Sequence, residues 1–258
     1  MIVWSTYLFG LIPIVGIAVA TWAISLWKRD VSIVDSVWSL LLLAVGATYV
    51  WQSGVLGVRE WLLLALLATW ALRLTIYITV RNWGEPEDHR YRQIRARNQP
   101  HFAFKSLYIV FLLQGLLAWI VSMPLFAAIA ADTRLQWLDY FGAAITTFGI
   151  VFEAVGDWQL SRFKADPSNR GKVMDRGLWR YTRHPNYFGE CCVWWGFYLI
   201  ALSVGGWWSV VGPLLMTALL LKVSGVALLE KDIAKRRPEY RRYVEQTKAF
   251  VPGRRRDP

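Results

Sequence analysis

The sequence alternates long stretches almost free of charge with short, strongly basic ones, and few folds accept that pattern. Uncharged or nearly uncharged runs fall near 3–27, 36–52, 59–80, 106–131, 139–158, 188–204 and 207–230. Crossing the hydrocarbon of a bilayer takes roughly 20 apolar residues, so these runs predict repeated membrane crossings in place of one water-shielded core. The whole-chain numbers agree: 55% of the residues are hydrophobic and 16 are Trp, yet the formal net charge is +11. Apolar and basic residues on that scale coexist only if they are segregated, which makes nucleic acid a poor explanation of the basicity. The expected fold is an all-α integral membrane protein, a single seven-helix domain over 1–258. The first run has Trp4 ahead of it, no basic n-region and no small-residue cleavage site, and is read as a retained helix. Gly205-Gly206, followed by Trp207-Trp208, predicts a tight hairpin between the last two spans.

Lys and Arg set the orientation. Lys28 and Arg29 follow the first run; Arg81, Arg90, Arg92, Arg95, Arg97 and Lys105 lie between the third and fourth; Arg162 to Arg183 supply seven more between the fifth and sixth. The tail from Lys231 to Arg254-Arg255-Arg256 is basic too, whereas the alternate loops offer only Arg59 and Arg134. The positive-inside rule then puts the N-terminus outside and the C-terminus in the cytoplasm, consistent with an odd number of spans. The segments 159–187 and 231–258 become cytoplasmic: a cofactor loop and a tail.

Ionisable side chains inside a span cost at least about 2.5–3.5 kcal/mol on insertion scales, so each is a site candidate. Asp35 opens the second span, Arg73 and Tyr77 lie in the third, Glu153 and Asp157 in the fifth, and Lys222 and Glu230 in the seventh. Arg73, Tyr77 and Arg81 recur every four residues, as do Glu153 and Asp157, which places each set on one helix face. Structural ion pairing and snorkelling are the competing explanation. The segment from Arg176 to Glu190 carries arginines suited to phosphate oxygens, and Pro185 opens a helix whose free N–H groups favour anions. A phosphorylated cofactor fits such a loop.

Other chemistries lack their motifs. His89, His101 and His184 are not at metal-ligand spacing, and adjacent Cys191 and Cys192 read as packing residues. There is no G-x-G-x-x-G unit, P-loop or nucleophile elbow. No metal is expected.

The stretch Arg183-His184-Pro185-Asn186-Tyr187-Phe188-Gly189-Glu190, with Leu229-Glu230-Lys231 and Phe250-Val251-Pro252, resembles the bacterial branch of the steroid 5α-reductase family. That branch includes proteins catalogued only as a domain of unknown function. The resemblance runs on through Asp30 to Asp35, Trp70 to Tyr77 and Arg81 to Glu85. It implies a multi-pass enzyme of the bacterial inner membrane, a monomer, which uses NADPH to saturate a C=C bond conjugated to a carbonyl. The implied substrate is a 3-oxo-Δ4 steroid or another small apolar enone arriving from lipid. The resemblance makes Tyr77 the catalytic tyrosine and Asp35 its partner acid, although eukaryotic members have Gln-Glu where this chain has Val34-Asp35. It assigns Asp157, Lys164, Arg176, Arg183, Asn186, Tyr187, Glu190 and Tyr243 to the cofactor; Lys164 stands where an arginine is usual. On this reading Asp35 orients and polarises Tyr77, which hydrogen-bonds the substrate carbonyl. A different enzyme class has a similar Arg-His-Pro-x-Tyr stretch: the S-adenosylmethionine-dependent membrane methyltransferases of the isoprenylcysteine and phospholipid type.

Overall fold

The structure is a computed structural model that describes residues 4–54, 56–129, 134–223 and 238–256. Every regular element among the described residues is helical. The long helices are α1 (Trp4–Lys28), α2 (Ile33–Ser53) and α3 (Val58–Asn82). After the short α4 (His89–Arg97) come α5 (Phe102–Val121), α6 (Met123–Ile129) and α7 (Trp137–Ala165). The chain continues through α8 (Pro185–Ser203), α9 (Trp207–Lys222) and α10 (Pro238–Gln246). The membrane character expected from the charge pattern is present, since α1, α2, α3, α5 and α7 are each long and apolar enough to cross a bilayer. α8 falls short in apolarity because its first turns carry Asn186, Tyr187 and Glu190. Glu230, Lys231 and the rest of 224–237 lie outside the described residues, as does the end of the seventh expected span.

The chain turns sharply where glycine allows it. Gly54 ends α2 at φ +66°, and Gly205 sits at φ +80° between α8 and α9, forming the hairpin anticipated from Gly205-Gly206. Two ends of the bundle follow from the connections. One, called here the basic end, carries residues 29–32, 83–101 and 166–184; the far end carries 54, 56–57, 134–136 and 204–206.

Most of the core is aromatic and aliphatic, with Trp70 and Trp194 edge-on at 5.5 Å, Phe197 against Trp194, and Tyr49 and Phe126 packed on Tyr7. The closest helix pair is α7 with α8. A Cβ added at Gly149 would lie 2.6 Å from the Gly189 carbonyl oxygen, and one at Gly189 2.6 Å from the Glu153 amide nitrogen. Small residues at a helix crossing let backbones touch, the usual way membrane helices gain packing energy. Here the contact brings Glu153 and Asp157 of α7 beside Asn186 and Glu190 of α8.

Candidate functional site

At the basic end, α2, α3, α4, α5, α7, α8 and α9 enclose a cavity of about 390 Å³. One wall is apolar: Ile109, Leu113 and Leu117 of α5 face Met216, Leu219 and Leu220 of α9, with Trp38 and Leu74 completing it. Two π-helical turns, Leu107–Leu112 and Leu219–Val223, contribute to this wall; such turns are rare and recur at functional sites. The other wall holds Asp35, Tyr77, Arg81, Arg90 and Tyr91 from α2, α3 and α4, and Glu153, Asp157, Asn186, Tyr187 and Glu190 from α7 and α8. A cavity apolar on one side with convergent polar groups on the other is the usual form of a small-molecule site.

The expected stripes meet there. Arg73 reaches from α3 to α7, pairing with Glu153 and, at 2.7 Å, with Asp157. One turn on, Tyr77 faces the cavity with the Ser161 hydroxyl and the Arg81 guanidinium beside its oxygen; the Arg81 charge sits 5.7 Å from its ring centre. A guanidinium only donates, so toward Arg81 the Tyr77 oxygen can only accept, whereas the Ser161 hydroxyl can either donate to it or take its proton.

Asp35 has different partners from the one expected. Among the described residues its carboxylate takes Arg90 at 2.7 Å and the Tyr91 hydroxyl at 2.5 Å, and Gln114 donates to the Tyr91 oxygen at 3.0 Å. Burial, with the Asp35 carboxylate next in effect, pushes the Tyr91 phenol well above its ordinary range, so it stays protonated and bound to Asp35. Asp35 therefore braces α4 and shapes the cavity mouth, and does not orient Tyr77. α4 is positioned by its own chemistry: Asp88 caps it by accepting from the Arg90 amide, and Tyr91 packs on Val31, Val34 and Phe102. Glu87 accepts from the Val31 amide at 2.9 Å and from Arg95 at 2.6 Å. Burial raises the Glu87 carboxyl, but these donors outweigh it and hold it below its ordinary range.

The residues expected around a cofactor divide into two groups. Asp157, Asn186, Tyr187 and Glu190 line the cavity. Lys164 and Arg176 are exposed outside it. Arg183 is buried but turned to the tail, donating to the carbonyls of Val244 at 2.9 Å and Thr247 at 2.5 Å. Tyr243 is spent likewise: its hydroxyl donates to the Trp179 carbonyl at 2.5 Å, while the Trp179 indole donates to the Gly156 carbonyl at 3.0 Å. Both residues clasp α10 against the 179–184 segment. Phe250 closes edge-on over Phe188 at 5.9 Å.

Arg90, Tyr91 and Gln114 were missed as site residues. In the sequence Arg90 reads as topological charge, although Asp88 followed by the Tyr91–Ile94 spacing is a short amphipathic helix signal. Gln114, a polar side chain in an apolar run, carries the same cost signal that singled out Arg73.

Residues 21–247 match the family described as Protein of unknown function (DUF1295). The chain belongs to this family. The match covers α2 to α9 in full and so includes every cavity residue named above. An uncharacterized protein of Schizosaccharomyces pombe is similar, at 24% identity over 268 residues, covering 90% of this chain and 75% of the relative. No solved structure matches.

Proposed function

We propose that this DUF1295 protein is a seven-span membrane reductase related to the steroid 5α-reductases. It saturates a C=C bond conjugated to a carbonyl in a steroid-like, 3-oxo-Δ4 or other apolar enone at the expense of NADPH. The observation that carries this reading is Tyr77: a phenol facing the cavity with a cationic neighbour, at the border between an apolar wall and a polar one. Hydride arriving at the β-carbon of an enone drives negative charge onto the carbonyl oxygen, and a preoriented O–H in a low-dielectric site stabilises it. Arg81, beside the Tyr77 oxygen, favours the charge that develops as the proton is given up. Asp35 and Gln114 fix Tyr91 so that the cavity mouth is already shaped before substrate arrives.

The residues present suit a nicotinamide cofactor. Buried acceptor atoms without a hydrogen-bond partner, Asp157 Oδ1, Glu153 Oε2 and Asn186 Oδ1, lie where amide or amino N–H groups would satisfy them. Exposed Lys164 and Arg176 beyond the cavity would meet phosphate, as would the free amides at the start of α8. NADPH supplies the hydride; the protein positions, excludes water and donates the proton. The basic end facing the cytoplasm of a bacterial inner membrane would give the cofactor access from water and the enone access from lipid.

The test is NADPH oxidation with a Δ4-3-ketosteroid by the detergent-purified chain and by Tyr77→Phe. Loss of roughly 10²–10⁴-fold in turnover is expected for removal of a general acid; equal turnover removes Tyr77 from the mechanism. The carboxylate-rich floor also suits a sulfonium, which keeps an S-adenosylmethionine-dependent methyltransferase as the second reading. Thermal shifts with NADPH and with S-adenosylmethionine separate the two, because a ligand specific to the folded state raises the melting point.

A further inference from the structure

Among the described residues, the floor of the cavity carries more carboxylates than guanidiniums. Glu153, Asp157 and Glu190 converge from α7 and α8, and the guanidinium that pairs with them is Arg73. Glu153 is 2% exposed and Asp157 3%, so water does little to offset the excess. Of the other cavity-lining arginines, Arg90 is paired with Asp35 and Asp88, while Arg81, bonded to neutral Asn82, adds its charge on the Asp157 side. One oxygen of Glu153, one of Asp157 and the amide oxygen of Asn186 are each buried without a hydrogen-bond partner. Buried polar atoms are ordinarily satisfied, and these three acceptors, with Nε and Nη2 of Arg73 also lacking a hydrogen-bond partner, leave a floor that a ligand's polar groups could complete.

We propose that Glu153, Asp157, Glu190 and Asn186 form a subsite selective for a cationic centre, so that the cavity holds the positively charged member of a ligand pair more tightly than its uncharged-centre counterpart. Two sources of that chemistry suit the dimensions and the apolar wall. One is the pyridinium ring of an oxidised nicotinamide nucleotide, whose carboxamide N–H groups also meet the orphaned oxygens; in this form the inference rests on the reductase reading. The other is a sulfonium centre, which does not. In a low-dielectric floor the attraction to a cation is not screened as it would be at the surface. For the nicotinamide pair the consequence is mechanistic, since a floor that prefers the oxidised ring favours hydride departure and makes the oxidised nucleotide a strong product inhibitor.

The experiment is calorimetric titration of the intact detergent-purified chain with two matched pairs, NADP⁺ against NADPH and S-adenosylmethionine against S-adenosylhomocysteine. The expected result is a preference of at least about tenfold for the cationic member of one pair, a difference of ~1.4 kcal/mol. Glu153→Gln, which keeps the shape and removes one carboxylate, should shrink that preference several-fold, lowering the cationic member's affinity more than the neutral-centre member's. Should Glu153→Gln not fold, Glu190→Gln serves in its place. A preference confined to the sulfonium pair sustains the subsite and removes the reductase reading. Both members of each pair binding alike, or neither member of either pair binding, overturns the proposal.

Discussion

Two buried arginine–carboxylate clusters at opposite ends of the bundle make different use of the same chemistry. At the far end Arg59 of α3 forks onto Asp139 of α7, with Nε to Oδ1 at 2.9 Å and an Nη to Oδ2 at 3.0 Å. Ser203 of α8 donates to Asp139 at 2.9 Å, and the Gln136 amide adds a bond at 2.7 Å that caps α7. The Asp139 carboxylate thus has four donors and is fully buried. At the basic end Arg73 is shared between Glu153 and Asp157, with Glu190 near, and oxygens on both partners are left unmatched against a cavity. A closed cluster pins three helices; an open one of the same residue types is a recognition surface. Burial and charge alone do not tell them apart, whereas the tally of unsatisfied atoms does.

The comparison breaks or sharpens under substitution. The largest expected effect is Asp139→Ala, which strands the Arg59 charge and should cost about 3–5 kcal/mol, seen as a large drop in melting temperature in detergent. Gly149→Ala should follow at ~1–3 kcal/mol, because the new methyl meets the α8 backbone; nucleotide affinity should fall along with stability, as α8 is pushed off the cavity floor. Glu153→Gln should be neutral or stabilising by the same melting measurement while altering ligand affinity. A loss matching that of Asp139→Ala would erase the distinction between the clusters. Tyr243→Phe removes one bond to the Trp179 carbonyl and should cost about 0.5–1.5 kcal/mol, read as faster proteolysis within 238–256 with the melting point little changed.

The smallest effect is a pH response outside the spans. Glu87 has a folded-state pKa below its ordinary value, so its contribution is present above the unfolded carboxylate value of about 4.3 and lost as pH falls through the lower folded one. Hydrogen exchange of α4 should therefore accelerate below about pH 4, ahead of α2 and α3. Exchange uniform across these helices would show that Glu87 does not hold α4 down.

Much of this architecture could be read from the chain before any coordinates. The apolar runs and the Gly205 hairpin are properties of local sequence, and the four-residue spacing of Arg73, Tyr77 and Arg81 puts them on one face of any helix. Which carboxylate meets which tyrosine was not legible. Asp35 and Tyr91 are 56 residues apart, and their contact depends on how α4 folds back, set by the Asp88 cap and the Glu87 bond to Val31. The division of the loop residues was equally hidden, since Arg183 and Asn186 share one motif yet point to different surroundings, one to the tail carbonyls and the other to the cavity. The α7–α8 glycine contact had a visible signal in the heptad spacing of Gly142, Gly149 and Gly156 against Gly189 and Gly196. That spacing becomes informative only when two helices are known to be neighbours.

The most direct test of the open-site account is calorimetric titration of NADPH into wild type, Asn186→Ala and Ser203→Ala. Wild type and Ser203→Ala should bind alike, and Asn186→Ala should lose at least about tenfold, because only Asn186 touches the cavity. Absence of binding to the wild type, or equal affinity in wild type and Asn186→Ala, would contradict the account.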